Sequence, residues 1–461
     1  GRYSWQSPRR RTFAELAGAV IAALPAGHNP GIPRSLEALA GWHDRQARQR
    51  AVASSALDDA ALRNAGISRI EVADLAGLAV RIAADPGALW LIKAPQGAGK
   101  TQDVLKPLAG LAGCSIAITN RVSLVADLCA RLNLSSYQTV RPGDIEATQN
   151  LGICLPSLVN PKFADVLSRA DNVLIDEVGA VLREIHTVGG TVGKTGPDTL
   201  CRLVAMLNQA RVAVGVDADL STLDVLTLAG LVNRRVCVIE MTAHVKGLSV
   251  RFADADEMKA EILSAVTSGQ KIRVACDSSR TALELAALIR EPNPDLNVMC
   301  IQSRGGDSTA GDPAVLEFLK DVNSGVAGLD VLIHSPTLES GVSITTPHFD
   351  RTFGIFSGRS VAPAAFIQML RRDRTATLIE IGLAGNGKQW LPTSTVLILD
   401  ALESTHRRSV ELANESGSTV AGVVNIEAAT PFDSRICDYT AARNGDANDA
   451  IQNLLLLLQS R

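Results

Sequence analysis

A lysine and a threonine at 100 and 101 follow glycines at 97 and 99 and an apolar stretch that begins at Ala88. These are the residues of the chain whose types and spacing most directly specify a chemistry. Ala88-Leu-Trp-Leu-Ile-Lys-Ala-Pro-Gln-Gly-Ala-Gly-Lys-Thr101 reads as a buried strand, a glycine-rich turn and a helix start, the Walker A arrangement. Polyphosphate binding explains each residue type. Gly97 and Gly99 let backbone N–H groups wrap the phosphates, and the new helix points its positive dipole end at them. Pro95, Gln96, Gly97, Ala98 and Gly99 form the cradle, Lys100 reaches the β- and γ-phosphates of ATP, and the Thr101 hydroxyl holds Mg²⁺. Ala94 stands where the strict pattern has its first glycine.

A second anchor is Asn172-Val-Leu-Ile-Asp-Glu177, an apolar strand that ends in two acids. An acid at such a strand tip can hold Mg²⁺ and its neighbour can polarise an attacking water, which assigns Asp176 to the metal and Glu177 to the water. Gly189-Gly-Thr-Val-Gly-Lys-Thr195 also contains Gly-Lys-Thr, but no apolar strand leads into it, so it reads as a loop. Further on, Phe366-Ile-Gln-Met-Leu-Arg-Arg-Asp-Arg374 sets Gln368 and closely spaced arginines on an expected helix. Arginines can stabilise charge that develops on a transferred phosphoryl group, and Arg372 and Arg374 are the candidates, with Arg371 crowding them.

Positioning these residues needs α/β units. From Gly87 onward, short apolar runs alternate with helical patterns, as in a parallel sheet covered on both faces. Expected strands are 89–93, 115–119, 172–175, 212–216 and 236–240, then a linker at 242–247. A second series follows at 271–276, 297–301, 331–333, 352–356 and 396–399. The expected organisation is a helical accessory region at 1–85, one P-loop domain at 86–245, a second α/β domain at 246–400 and an extension at 401–461. In the first region, 13–24, 35–49 and 57–84 carry apolar residues at helical spacing, broken by Pro25, Pro30 and Pro33. Arg45, Arg48 and Arg50 with Trp42 could touch nucleic acid, but they read first as a solvated helix face. The extension reads as loop-rich and closed by a helix, whose run Leu454 to Leu458 is a docking face.

Bulk composition is that of an ordinary globular chain: 461 residues, 46% hydrophobic, 20% charged, 3% aromatic, formal net charge −3. Near-neutral charge neither demands nor excludes nucleic acid, because a cleft can be locally basic. The eight cysteines form no Cys-x-x-Cys and mostly sit in apolar runs, which points to a reducing, cytoplasmic compartment. No apolar run reaches the ~18 residues that span a bilayer. The start at Gly1, with Arg9-Arg10-Arg11 close behind, suggests a piece excised from a longer protein.

Taken together, 94–101, Ile118-Thr-Asn-Arg-Val-Ser-Leu124, Asp176-Glu177, Asp217-Ala-Asp-Leu-Ser221 and Gln368 to Arg374 resemble superfamily two helicases. The resemblance runs over about 86–400 and is nearest to the herpesvirus origin-binding-protein type and the helicase halves of plasmid and phage primase-helicases. It takes in Val331-Leu-Ile-His-Ser-Pro-Thr-Leu-Glu-Ser-Gly-Val-Ser343, whose Gly-Val-Ser turn includes Gly341 as a nucleotide contact, and the runs His348-Phe-Asp350 and Phe353-Gly-Ile-Phe356. It implies two tandem RecA-like domains that close on ATP, and single-stranded DNA contacts at Thr119, Asn120, Arg121 and Ser157 from the first domain. Ser278, Ser279, Arg280, Ser335 and Thr337 would supply them from the second. Such contacts fall mostly on phosphates and carry little sequence information. Two departures stand out: Arg371 replaces a usual glycine, and Asp217-Ala-Asp219 replaces the more familiar Ser-Ala-Thr.

The resemblance implies an ATP- and Mg²⁺-dependent DNA helicase or translocase of plasmid or phage replication. Its expected partners are single-stranded DNA or a forked duplex and a fused or associated primase. Rival readings are an ATP-switched origin-binding or loading protein and a double-strand translocase that never separates strands. A metabolic P-loop kinase would not need the second α/β series.

Overall fold

The structure, a computed structural model, describes residues 57–145, 147–187, 190–242, 248–302, 309, 311–336, 343–385, 391–402, 404 and 431–460. They fall into two compact units. One holds the described residues of Ala53–Val245 and Leu391–Asn444, the other those of Lys246–Trp390 and Gly445–Arg461.

The first unit is built on β1 (Ser68–Val72), β2 (Ala88–Lys93), β3 (Cys114–Thr119), β4 (Ser135–Ser136), β5 (Asn150–Cys154), β6 (Ala170–Asp176), β7 (Val212–Asp217) and β8 (Arg235–Met241). They form one sheet in the order β1-β8-β2-β7-β6-β3-β5-β4, with neighbours parallel throughout. Successive side chains of a strand serve opposite faces. Leu89, Leu91, Ile116, Ile118, Val173 and Ile175 enter one core, while Trp90, Ile92, Ala117, Leu174 and Val214 enter the other. This is why the central strands are unbroken apolar runs. The tips of β2, β7 and β6 lie side by side, with Lys93 paired to Asp217 and Asp176 to Val216. In open α/β sheets ligands bind at these carboxyl ends.

The second unit is a six-stranded sheet in the order β11-β12-β10-β13-β14-β9. Its strands are β9 (Ser249–Asp254), β10 (Ile272–Cys276), β11 (Val298–Ile301), β12 (Val331–His334), β13 (Arg351–Phe356) and β14 (Leu378–Leu383). All neighbours are again parallel. Phe366, Ile367 and Leu370 of the helix Pro363–Leu370 pack with Phe356 and Ile381, and Leu454 and Leu457 of the helix Ala450–Ser460 join the same core. The expected docking role of the Leu454 to Leu458 run therefore holds.

Several expectations are corrected. Residues 57–84 are not continuously helical: Asp59–Asn64 and Leu78–Ala83 are helices, but β1 lies between them and pairs with β8. Ser-Arg-Ile-Glu-Val pairs on one side only and is half exposed, so it lacks the apolar continuity of a central strand. The strand expected at 396–399 is part of a helix over 395–402. Val396 and Leu397 are exposed there and Ile398 is buried, a pattern a short apolar run cannot reveal by periodicity. The sheet of the second unit is completed by β14 and β9 instead. In the extension, the described part is helical at Pro431–Asn448 and Ala450–Ser460. The expected helices at 13–24 and 35–49, the Arg45 to Arg50 face and most of the 242–247 linker lie outside the described residues.

Within the first unit the helix Pro431–Asn448 is held by polar as well as apolar contacts. The Tyr439 ring stacks on His186 with centroids 4.8 Å apart, and its hydroxyl donates to Asp224 Oδ1 at 3.0 Å. Asp224 is fully buried, so this bond to a carboxylate belongs to the stronger class. Tyr439→Phe should lower stability by about 1–2 kcal/mol in urea unfolding while keeping the ring stack. A midpoint equal to the parent's would show that the hydroxyl holds nothing.

Candidate active site

The loop between β2 and the helix Lys100–Leu105 turns on two glycines in the left-handed region, Gly97 at φ 78° and Gly99 at φ 89°. A side chain at Gly99 would run into the Asp103 carboxylate. Ala94 is almost fully buried, and its N–H donates to the Asp217 carbonyl at 3.1 Å, so the start of the loop is pinned to the tip of β7. Lys100 Nζ donates to the carbonyls of Ala94 at 2.7 Å and Pro95 at 2.9 Å. The ammonium is thus folded over the loop that the sequence assigns to phosphates. Thr101, next in the helix, is buried, and Gln96 Oε1 is buried without a hydrogen-bond partner.

Asp176 ends β6 and is partly buried. Burial pushes its carboxyl above the ordinary range, Lys100 and Arg131 pull it down, and Asp217 pushes it up again. Lys100 is therefore near enough to be felt electrostatically by Asp176. Glu177 follows at φ 55°, ψ 54°, a left-handed conformation at a residue with a side chain, and caps the helix Val178–Ile185. Such backbone costs on the order of 1–3 kcal/mol and gathers where geometry serves function. Asp217, closed off from solvent, accepts from Gly179 N at 2.8 Å and Asp219 N at 2.7 Å. It thereby joins β7 to the helix that begins after Glu177. Ser221 and Asp224 form a reciprocal cap on the helix Thr222–Ala229, and the Arg183 guanidinium lies 3.9 Å from Asp224.

No group of three or more His, Cys, Asp or Glu that could hold a metal is found among the described residues. Mg²⁺ does not need one, because it keeps several waters and accepts one or two protein donors plus phosphate oxygens. Thr101 and Asp176 fit that requirement, and a carboxyl pushed up by burial is a group that a cation would favour.

The arginine segment differs from the sequence expectation. Gln368 lies on the helix Pro363–Leu370, but the helix stops at Leu370 with Arg371 as its cap. Arg372 and Arg374 are beyond it, on either side of Asp373, which forms an isolated parallel bridge with Ile344. Ile344 N donates to Arg372 O at 2.8 Å and Arg374 N to Ile344 O at 2.9 Å. The cause is Asp373, a buried residue whose carboxylate accepts from Thr352 Oγ1 at 2.9 Å, Thr375 Oγ1 at 2.7 Å and Thr375 N at 3.0 Å. Those bonds draw the chain off the helix and back toward β13. Arg372 is largely buried, Arg371 partly so, and Arg374 is exposed with Nε 3.3 Å from Ser343 Oγ.

Of the residues that the resemblance assigns to DNA, two are closed off. The Thr119 and Ser335 side chains are fully buried. Thr119 is paired to Cys154 on one side of β3 and sits beside β6 on the other, and its buried hydroxyl has no hydrogen-bond partner. Arg121 is the partly buried cap of the helix Val122–Leu132. Asn120 is linked through its carbonyl to Cys154 Sγ at 3.5 Å, which brings the segment of Ser157 to the same edge. In the second unit Ser278 caps the helix Ser279–Arg290 through Thr281 N, Ser279 is partly buried, and Arg280 is exposed and paired to Glu284 at 2.7 Å. Thr337 and Gly341 lie outside the described residues. Sequence reasoning did not foresee the hydrogen-bond role of Asp217, although a second acid at a β-strand tip was a visible signal.

No family model matches the chain, and no curated protein does. Solved structures do. Mss116p (NTE and C-tail double deletion) bound to ssRNA and AMP-PNP aligns with TM-score 0.50 at 11% identity, over 75% of this chain and 90% of that one. The DEAD-box helicase Mss116 bound to ssRNA and UDP-BeF gives 0.50 at 12% over the same shares. The fold is that of tandem RecA-like helicase domains. The Mycobacterium smegmatis helicase Lhr bound to ssDNA and AMP-PNP gives 0.48 at 17% identity over 66% of this chain, which spans 45% of the length of Lhr. The likeness to Mss116 reaches the architecture, and the site residues rest on their own geometry.

The raised Asp176 carboxyl gives a signed prediction. A folded pKa above the unfolded one means that the contribution to stability is favourable at low pH and lost as pH rises through the folded value. Asp176→Asn should therefore raise the thermal midpoint at pH 7. The advantage should shrink as pH falls toward about 4. A variant less stable than the parent at pH 7 would refute the assigned environment.

Proposed function

We propose that this chain is an ATP-hydrolysing helicase or translocase of the superfamily two type that moves on single-stranded DNA. The observation that carries the reading is the joint placement of the Lys100 loop and Asp176-Glu177 at the tips of β2 and β6, with β7 between them and Lys100 acting on the Asp176 carboxyl. The loop amides and Lys100 bind the β- and γ-phosphates of ATP. Thr101 and Asp176 hold Mg²⁺, which supplies charge neutralisation at the phosphate oxygens when bound. Glu177 orients a water and takes its proton as it attacks phosphorus, and ADP leaves. Arg372 and Arg374 are assigned to the charge that builds on the γ-phosphoryl, with Gln368 as a further site residue.

The nucleic-acid surface in this reading consists of Asn120, Arg121 and Ser157 in one unit and Ser278, Ser279 and Arg280 in the other, beside the buried Thr119 and Ser335. Thr337 and Gly341 keep the roles that the resemblance gives them. The origin-binding-protein and primase-helicase resemblance extends the proposal to replication of a plasmid, phage or similar element, with a fused or associated primase as partner. Both Mss116 structures hold ssRNA, so an RNA strand belongs in the test beside DNA.

Lys100→Ala and Glu177→Gln should each keep the far-ultraviolet circular dichroism of the parent and lower ATP turnover about 100-fold or more, because each removes a group that acts on the transferred phosphoryl. Turnover at the parental rate in either variant would sink the assignment. Displacement of a strand from a forked duplex, set against displacement of a third strand from a triplex, separates a helicase from a translocase that leaves the duplex closed.

A further inference from the structure

Arg273 is a charge in the middle of an apolar strand. It sits in β10, with β12 on one side and β13 on the other, and no part of it reaches solvent. A buried guanidinium is costly unless its donors are matched. Here Nη1 donates to the Leu370 carbonyl at 3.0 Å, and Nη2 donates to the Met369 carbonyl and lies 2.8 Å from His334 Nε2. The two carbonyls belong to the last turn of the Gln368 helix, at the negative end of its dipole, where Met369 O also accepts from Arg372 N at 3.3 Å. His334 ends β12, and its Nδ1 lies 3.2 Å from the Ser335 carbonyl. Nδ1 therefore carries the hydrogen, and Nε2 is free to accept from Arg273. Burial and the adjoining guanidinium hold His334 well below its ordinary range, so it stays neutral.

We propose that Arg273 is a positioning residue, whose guanidinium fixes the end of the Gln368 helix, and with it Arg372 and Arg374, against the exit of β12. Its three acceptors come from two separate segments. One leads into the arginines and the other into the Ser335 to Ser343 run that the sequence links to nucleic acid. The bridge between Ile344 and Asp373, with its hydrogen bonds to Arg372 and Arg374, joins the same two segments a few residues further on. The two ties together leave the arginine segment little freedom to shift without the β12 exit. A lysine could reach one or two of these acceptors, but it lacks the planar fork that serves three.

The inference rests on the proposed ATPase, so the test has one readout that needs the ATPase and one that does not. In the full chain, Arg273→Met should lower kcat for ATP hydrolysis about tenfold or more, with KM for ATP and nucleotide affinity within about twofold of the parent. Arg273→Lys should recover part of the loss, and it carries the test alone if the methionine variant does not fold. Independently, amide hydrogen exchange should speed up at Arg371, Arg372 and Arg374 while the Gly97 to Thr101 loop keeps its protection. Parental kcat in an active enzyme, or a loss matched by an equal rise in KM, overturns the proposal. Unchanged exchange at those amides overturns it whatever the ATPase does. Absence of ATPase in the parent, or a Lys100→Ala variant as active as the parent, strikes the functional reading instead, and exchange then decides this one.

Discussion

The Asp217 carboxylate is the constraint on which the strand-tip end of the first unit depends, where the proposed nucleotide site lies. It is closed off from water, and it would be expensive there without donors. It finds them in the N–H groups of Gly179 and Asp219, while the carbonyl of the same residue takes the N–H of Ala94. One residue at the tip of β7 therefore fixes the start of the phosphate loop on one side and the helix behind Asp176-Glu177 on the other. Gly179 must be glycine for this, since a side chain there would press on Asp217, Asp224 and Arg183. The left-handed turn at Glu177 is then less surprising. With Asp176 held in β6 and Gly179 bonded to Asp217, the chain has two residues in which to change from strand to helix.

The second unit is organised by the same rule, with a buried cation beside a buried carboxylate. Arg273 satisfies helix-end carbonyls from inside the sheet, and Asp373 gathers Thr352 and Thr375 to lead the chain off the helix. In both units a buried charge whose hydrogen bonds reach two or three segments locates a functional loop, and apolar packing alone would not. Loops set only by packing can slide by a fraction of a side chain. Loops tied to a buried ion lose a full hydrogen bond if they move.

The legible part of the sequence was the part with apolar continuity. Central parallel strands such as β2, β3, β6, β7, β10, β12 and β13 are buried on both faces and announce themselves. Edge and near-edge strands do so only where they keep an apolar run, as β8, β11 and β12 do: β1 and β9 are half exposed, and β14 carries Glu380 inside it, where Arg251 and Arg351 pair with it. The Walker A loop and the Asp176-Glu177 tip were readable because their chemistry demands particular residue types at fixed spacing. The path of Arg371 to Arg374 was not readable. No glycine or proline marks a break in 371–375, and the chain is drawn off the helix by hydrogen bonds to Asp373 from Thr375 and from Thr352, which lies 21 residues away. The burial of Thr119 and Ser335 was not readable for a related reason. A small polar residue at a strand end looks the same in sequence whether its hydroxyl faces solvent or is covered by the next strand.

The use of arginine inside the fold also bears on how nucleic acid could be held. Arg69, Arg251 and Arg351 are spent on carboxylates in ion-pair clusters, Arg273 on carbonyls, and Arg280 on Glu284. The net charge of −3 thus comes with many of the described arginines already engaged. On the proposed reading the arginines so engaged would neutralise few phosphates themselves, and their share of counterion release would be small. Affinity would then depend more on backbone N–H groups and hydroxyls at the loops after β3, β5 and β10. Those donors are held at fixed positions by the sheets, and a protein that steps along a strand gains from contacts that are numerous, weak and independent of sequence.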